Sequence, residues 1–108
     1  MVGNKVYFQP SGTVLAVISD IVELQKGKFT FSDTPHGKIH FFIKMYGNKW
    51  ELQFTATEIE KNNCNVKIEI VHGAFGSNDL IQREFALLDS MLLLKSPAEL
   101  SKEVIRSF

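Results

Sequence analysis

The sequence predicts an α+β fold: a five-stranded antiparallel sheet covered on one face by two helices, in the order β-α-β-β-β-β-α, with a short C-terminal helix added. Three observations carry this. Apolar residues alternate with others through Ile39, Phe41, Ile43 and Met45, and again through Trp50, Leu52, Phe54 and Ala56, on either side of a Gly-Asn pair; this is the pattern of a β-hairpin with one oily face. Residues 13–25 and 77–95 instead carry their apolar side chains at helical spacing. The chain has 108 residues, enough for one modest core, so the oily face of the sheet and those of the helices must meet in a single domain.

The elements follow in order. Val6 and Phe8 in NKVYFQP mark a short first strand, stopped by Pro10. From Thr13 to Gln25 the residues Val14, Val17, Ile18, Ile21, Val22 and Leu24 fall on one arc of a helix, with Ser19, Asp20 and Glu23 opposite, and Gly27 ends it. Lys28 to Asp33 alternates through Phe29 and Phe31 as a second strand. A two-residue turn at Gly47-Asn48 sets Tyr46 opposite Lys49 and pairs Met45 with Trp50, Ile43 with Leu52, Phe41 with Phe54 and Ile39 with Ala56. The other face then pairs Lys44 with Glu51, Phe42 with Gln53 and His40 with Thr55, including one cross-strand ion pair. After a turn around Lys61 to Asn65, Val66, Ile68 and Ile70 alternate with Lys67 and Glu69 as the fifth strand.

Ser77 is placed as the N-cap of the long helix, with Asp79 near the positive end of its dipole, and the helix should run to about Lys95. Ser96-Pro97-Ala98-Glu99 is a capping box with proline at the first helical position, which predicts a separate helix over 97–106. No linker, repeat or low-complexity tract divides the chain, so residues 1–108 form one domain with its core in 4–94.

Twelve Lys and Arg balance twelve Asp and Glu, giving no net field to favour nucleic acid or an anionic membrane. The single cysteine, Cys64, excludes an internal disulfide framework and a multi-cysteine zinc site and fits a reducing compartment. No apolar run approaches the ~20 residues of a membrane span, and the N-terminus has no leader-like apolar stretch, so a cytoplasmic protein is expected.

A hairpin such as GKIHFFIKMYGNKWELQFTATEIE, a strand such as NVKIEIVHG, a Gly- and Asn-containing loop and a last helix such as NDLIQREFALLDSML together resemble the helix-grip architecture of the START-like (SRPBCC-type) superfamily, in the reduced form of its small bacterial members. The resemblance covers roughly residues 4–94 and is one of element pattern. It implies a cavity between sheet and long helix that holds an apolar ligand. It carries over no catalytic residue, because no catalytic motif unites the superfamily.

On the long helix Ile81, Phe85, Leu88 and Leu92 form one apolar stripe and Leu80, Leu87, Met91 and Leu94 another, with Glu84 between them. A carboxylate there either enters the ligand site or sits at a seam that reaches water. The histidines His36, His40 and His72 lack the spacing of a metal site, Cys64 reads as an ordinary turn residue, and GAFGSN lacks the lysine of a phosphate-binding loop. Nothing assembles a nucleophile, a base and an orienting group, so an enzyme is the third and least favoured reading, and no cofactor or metal is expected. Phe42 is the odd aromatic: it points from the wet face of the hairpin, where a partner surface would cover it. The resulting expectation is a noncatalytic domain binding a small apolar ligand near Phe41, Trp50, Phe54, Ile70, Glu84 and Phe85. The alternative is an interaction domain with a filled core, associating with a second copy as a homodimer or with another protein through Leu100, Val104, Ile105 and Phe108 of the terminal helix.

Overall fold

The computed structural model describes residues 2–45, 47–72 and 78–95. The elements are β1 (Val2–Tyr7), α1 (Ser11–Leu24), β2 (Lys28–Asp33), β3 (Lys38–Met45), β4 (Asn48–Glu60), β5 (Asn63–His72) and α2 (Asn78–Lys95), with one 3₁₀ turn over Thr34–His36. All neighbouring strands are antiparallel, in the order β1-β5-β4-β3-β2, so α1 carries the chain from one edge of the sheet to the other. The α+β architecture expected from the sequence is the one observed. The terminal helix expected over 97–106, the Ser77 cap and residues 73–77 of GAFGSN lie outside the described residues.

One oily face closes on two helices. Ile39, Phe41 and Ile43 of β3, Trp50, Leu52, Phe54 and Ala56 of β4, and Cys64, Val66 and Ile68 of β5 are buried. They meet Val14, Val17, Ile18, Ile21 and Val22 of α1 and Leu80, Ile81, Phe85, Leu88 and Leu92 of α2 in a single cluster. The Phe41 and Phe54 rings pack at 5.5 Å, tilted by 48°, a geometry that aromatic quadrupoles favour. The indole Nε1 of Trp50 donates to the carbonyl of Met45 at 3.0 Å, so its one polar atom costs nothing on burial.

The register of the hairpin differs from the expectation by two residues. Ile39 faces Phe54, Phe41 faces Leu52, Ile43 faces Trp50 and Met45 faces Asn48. Gly47 takes φ +75°, a left-handed conformation that glycine adopts without steric cost. A two-residue slip keeps every side chain on its face, so the alternation that predicted the faces correctly is blind to it. On the outer face the slip changes everything: Lys44 lies opposite Lys49, not Glu51, and Phe42 lies opposite Glu51.

Three smaller differences have local causes. In β1 the buried residue is Tyr7, which faces Cys64, while Val6 is exposed and Phe8, past the strand, is 80% exposed. An edge strand touches a helix with only part of one face, which makes its apolar pattern a poor guide. Cys64 belongs to β5 and is fully buried, because β4 and β5 extend further into the Asn-rich turn than their apolar residues do. Helix α1 begins at Ser11, two residues before Thr13, on an extended Pro10. Gly37 precedes β3 at φ +69° with its carbonyl accepting from Ala56 N at 2.8 Å; a Cβ there would lie 2.1 Å from the Ala56 carbonyl oxygen, so no other residue fits.

Candidate functional site

The end of the sheet that carries the β3–β4 loop also receives the C-terminus of α1 and the start of β2. Helix α1 stops in a Schellman motif: the amide of Gly27 donates to Val22 O at 2.8 Å and that of Lys26 to Glu23 O at 3.0 Å. The motif needs one left-handed residue, and Lys26, not Gly27, occupies that position at φ 56°. A side chain beyond Cβ is disfavoured there, so the helix end is built at some cost to keep a lysine.

Beside this corner lies a groove of about 580 Å³, within the range of small-molecule sites. Gln25 and Lys26 form one wall and Lys28 of β2 another; Phe42, Ile43 and Lys44 of β3 and Lys49 of β4 complete it. In the ladder Lys28 is opposite Phe42 and Lys44 is opposite Lys49. The Lys49 ammonium stands 4.2 Å from the centre of the Phe42 ring, a cation-π contact. No acidic residue lines the groove, and none of its four lysines forms an ion pair among the described residues. The nearest carboxylate in register, Glu51, stands 3.2 Å from His40 Nε2, within ion-pair range when the imidazole is protonated.

Behind Gln25 the groove is braced by a buried polar cluster. Gln25 Nε2 donates to Glu84 Oε1 at 2.7 Å, and Arg83 Nη1 donates to Gln25 Oε1 at 2.7 Å. Glu84 is fully buried and, among the described residues, its Oε2 accepts no hydrogen bond; Arg83 Nη1 stands 3.7 Å from it. Burial pushes the Glu84 carboxyl up from its ordinary pKa of 4.5, and the Gln25 hydrogen bond and the Arg83 charge only partly oppose this. Glu84 therefore lies between α2 and the end of α1, one hydrogen bond away from the groove, but its carboxylate does not reach water as the seam reading expected.

Of the six residues expected near an apolar ligand, Phe41, Trp50 and Phe54 are packed in the core with no solvent-sized space against Phe41 or Phe54. Ile70 packs against the same cluster, and Phe85 covers Gly3 of β1. Only Glu84 stands beside the lysine groove, through Gln25. Sequence reasoning missed all four lysines; the one signal pointing to them was the outward-facing Phe42.

Other polar clusters read as structural. On β1, Lys5 Nζ and Tyr7 Oη donate to the two oxygens of Asp89 at 2.6 and 2.7 Å, tying the edge strand to α2, and burial with the nearby Asp89 raises the Tyr7 pKa far above its ordinary value. Burial also raises the Cys64 thiol pKa, the opposite of what a nucleophile needs. His36 Nδ1 contacts Asp33 Oδ2 at 2.6 Å on the surface. Among the described residues no His, Cys, Asp and Glu gather to hold a metal, and no helix is long and apolar enough to cross a membrane.

No protein-family model matches the sequence, and no curated protein is similar to it in sequence. Solved structures do share its fold. A chain in the crystal structure of the adenylate sensor from AMP-activated protein kinase in complex with 5-aminoimidazole-4-carboxamide 1-β-D-ribofuranotide superimposes with a TM-score of 0.63 at 9% identity, over 82% of this chain and 94% of that one. The di-domain ARO/CYC StfQ from the steffimycin biosynthetic pathway gives a TM-score of 0.46 at 8% identity, over 85% of this chain and 42% of that one. At such identities the likeness is one of α+β fold.

Proposed function

We propose that this chain is a noncatalytic binding domain of helix-grip kind that holds an anionic ligand in the groove between the end of α1 and the β3–β4 hairpin. One observation carries the reading. A chain with no net charge gathers four lysines around one groove and, among the described residues, places no acid there. Such a focused positive field attracts and retains anions. The expected apolar ligand finds less support, since the rings meant to line its cavity are packed against each other. Catalysis is not part of the proposal: among the described residues the groove offers cations and an aromatic ring but no general base or nucleophile.

Thermal melts test this directly. Pyrophosphate, sulfate and citrate should raise the melting temperature, with an effect that falls as sodium chloride is added and disappears when Lys26 and Lys28 are both replaced by Ala. A rise with a fatty acid, together with none for pyrophosphate, sulfate or citrate, would return the site to the interior of the sheet.

A further inference from the structure

Resting on that reading, we infer that the groove recognises a ligand bearing two phosphate groups, presented either on a free small molecule or on a lipid headgroup. The argument begins with charge matching. A phosphate monoester carries about −1.5 to −2 at neutral pH, so two of them carry about −3 to −4, which is what four ammonium groups neutralise. A monocarboxylate would leave most of the mutual repulsion in place.

Geometry agrees. Residues directly opposite on antiparallel strands have Cβ atoms about 5 Å apart, so Lys44 and Lys49 form a close cationic pair, and like charges in that position destabilise a sheet. Lys28 flanks the same patch from β2, and Lys26 reaches it from the left-handed end of α1. Lysine is a compact point charge on a flexible stem, suited to the pyramidal oxygens of phosphates approached from several sides. The Phe42 ring, between Lys28 and Lys49, offers an apolar flank for the body that carries the phosphates.

The surroundings exclude a polynucleotide. A strand of nucleic acid needs a basic track along its backbone, yet the outer face next to the groove carries Glu51, Gln53 and Glu69. The positive charge is a spot and not a stripe. Its size and isolation fit a compact, highly charged group.

Three probes and one variant decide the matter: calorimetric titration with inorganic pyrophosphate, titration with citrate, and sedimentation with phosphatidylcholine vesicles with or without phosphatidylinositol bisphosphate. Pyrophosphate should bind more tightly than citrate, and replacing Lys44→Gln together with Lys49→Gln should weaken binding about thirtyfold. The same variant should melt close to the wild type without ligand, because relief of the opposed like-charge pair offsets loss of the Lys49–Phe42 cation-π contact; loss of binding at an unchanged melt then has no explanation in misfolding. Binding to the bisphosphate vesicles without binding to pyrophosphate supports the assignment with a lipid as its source. Citrate binding as tightly as pyrophosphate, with the same loss in the variant, overturns the phosphate assignment and leaves the anion-binding reading standing. No binding of any probe, or no effect of the variant, overturns both.

Discussion

The centre of the sheet and its hairpin end are built from the same two strands by opposite rules. In the centre every local preference agrees: β-branched and aromatic residues alternate, pair across strands and close against two helices, and the one indole N–H is satisfied. At the hairpin end three preferences are broken within a few residues. A lysine holds the left-handed position that glycine would fill, two lysines face each other across a strand pair, and an aromatic ring lies on the outer face. A region that obeys all the rules is there to fold. One that breaks several at once, two of them with lysine, is there to do something else.

The contrast breaks first in the centre. Phe54 is fully buried against Phe41, so Phe54→Ala should cost about 3–5 kcal/mol in chemical denaturation, while Gln53→Ala, on the outer face, should change stability by less than about 0.5 kcal/mol. Equal losses would mean that the two faces are not distinct and that the inner one is not a filled core.

The inner face was legible because burial imposes a period of two and repeats it over three strands. Phe41, Phe54, Val66 and Ile68 each confirm the others' phase. The register was not legible, because shifting Ile43 from Leu52 to Trp50 exchanges one apolar partner for another and leaves the alternation intact. Only the outer face distinguishes the two registers. There the expected Lys44–Glu51 ion pair looked like the better sequence match, and the choice of the more stable pairing hid the groove. The positive φ of Lys26 has no sequence signal either, since glycine stands next to it and the rule for helix ends points to Gly27. Glu84 was legible as an interruption of two apolar stripes, but its partner Gln25 comes from 59 residues away and only the packing of α1 on α2 brings the two together.

Glu84 sharpens the comparison with a smaller effect, because it belongs to the buried face yet braces the groove. Its carboxyl pKa in the folded protein lies above the ordinary 4.5. A group whose folded pKa is raised contributes stability that is fully present below its unfolded pKa and is lost as pH rises through the folded value. Stability should therefore decline as pH rises from about 4.5 toward neutrality by an amount that Glu84→Gln abolishes, and the variant should melt higher than the wild type at neutral pH. Melts of the two proteins across that range check the sign. A steeper pH dependence in the variant would show that Glu84 is not the group responsible.

The smallest expected change in stability tests whether the hairpin end is held in a costly form. Lys26 sits at φ 56° in the C-terminal motif of α1, where glycine carries no steric penalty. If the only demand at this position were to end the helix, Lys26→Gly would be a simple improvement, worth about 1 kcal/mol by relief of the left-handed conformation. The hydrogen bonds of the motif come from backbone amides and survive the change, and among the described residues Lys26 makes no ion pair that would be lost. The variant should thus unfold at a higher denaturant concentration with an unchanged slope, which marks a change in stability and not in compactness. It should also bind pyrophosphate about fivefold more weakly, the share of one lysine among four. A gain in stability without a loss in binding would place Lys26 outside the site and leave its strained backbone without a function. A loss of stability would show that its side chain supports the fold, and the contrast between the two ends of the sheet would then no longer hold at this residue.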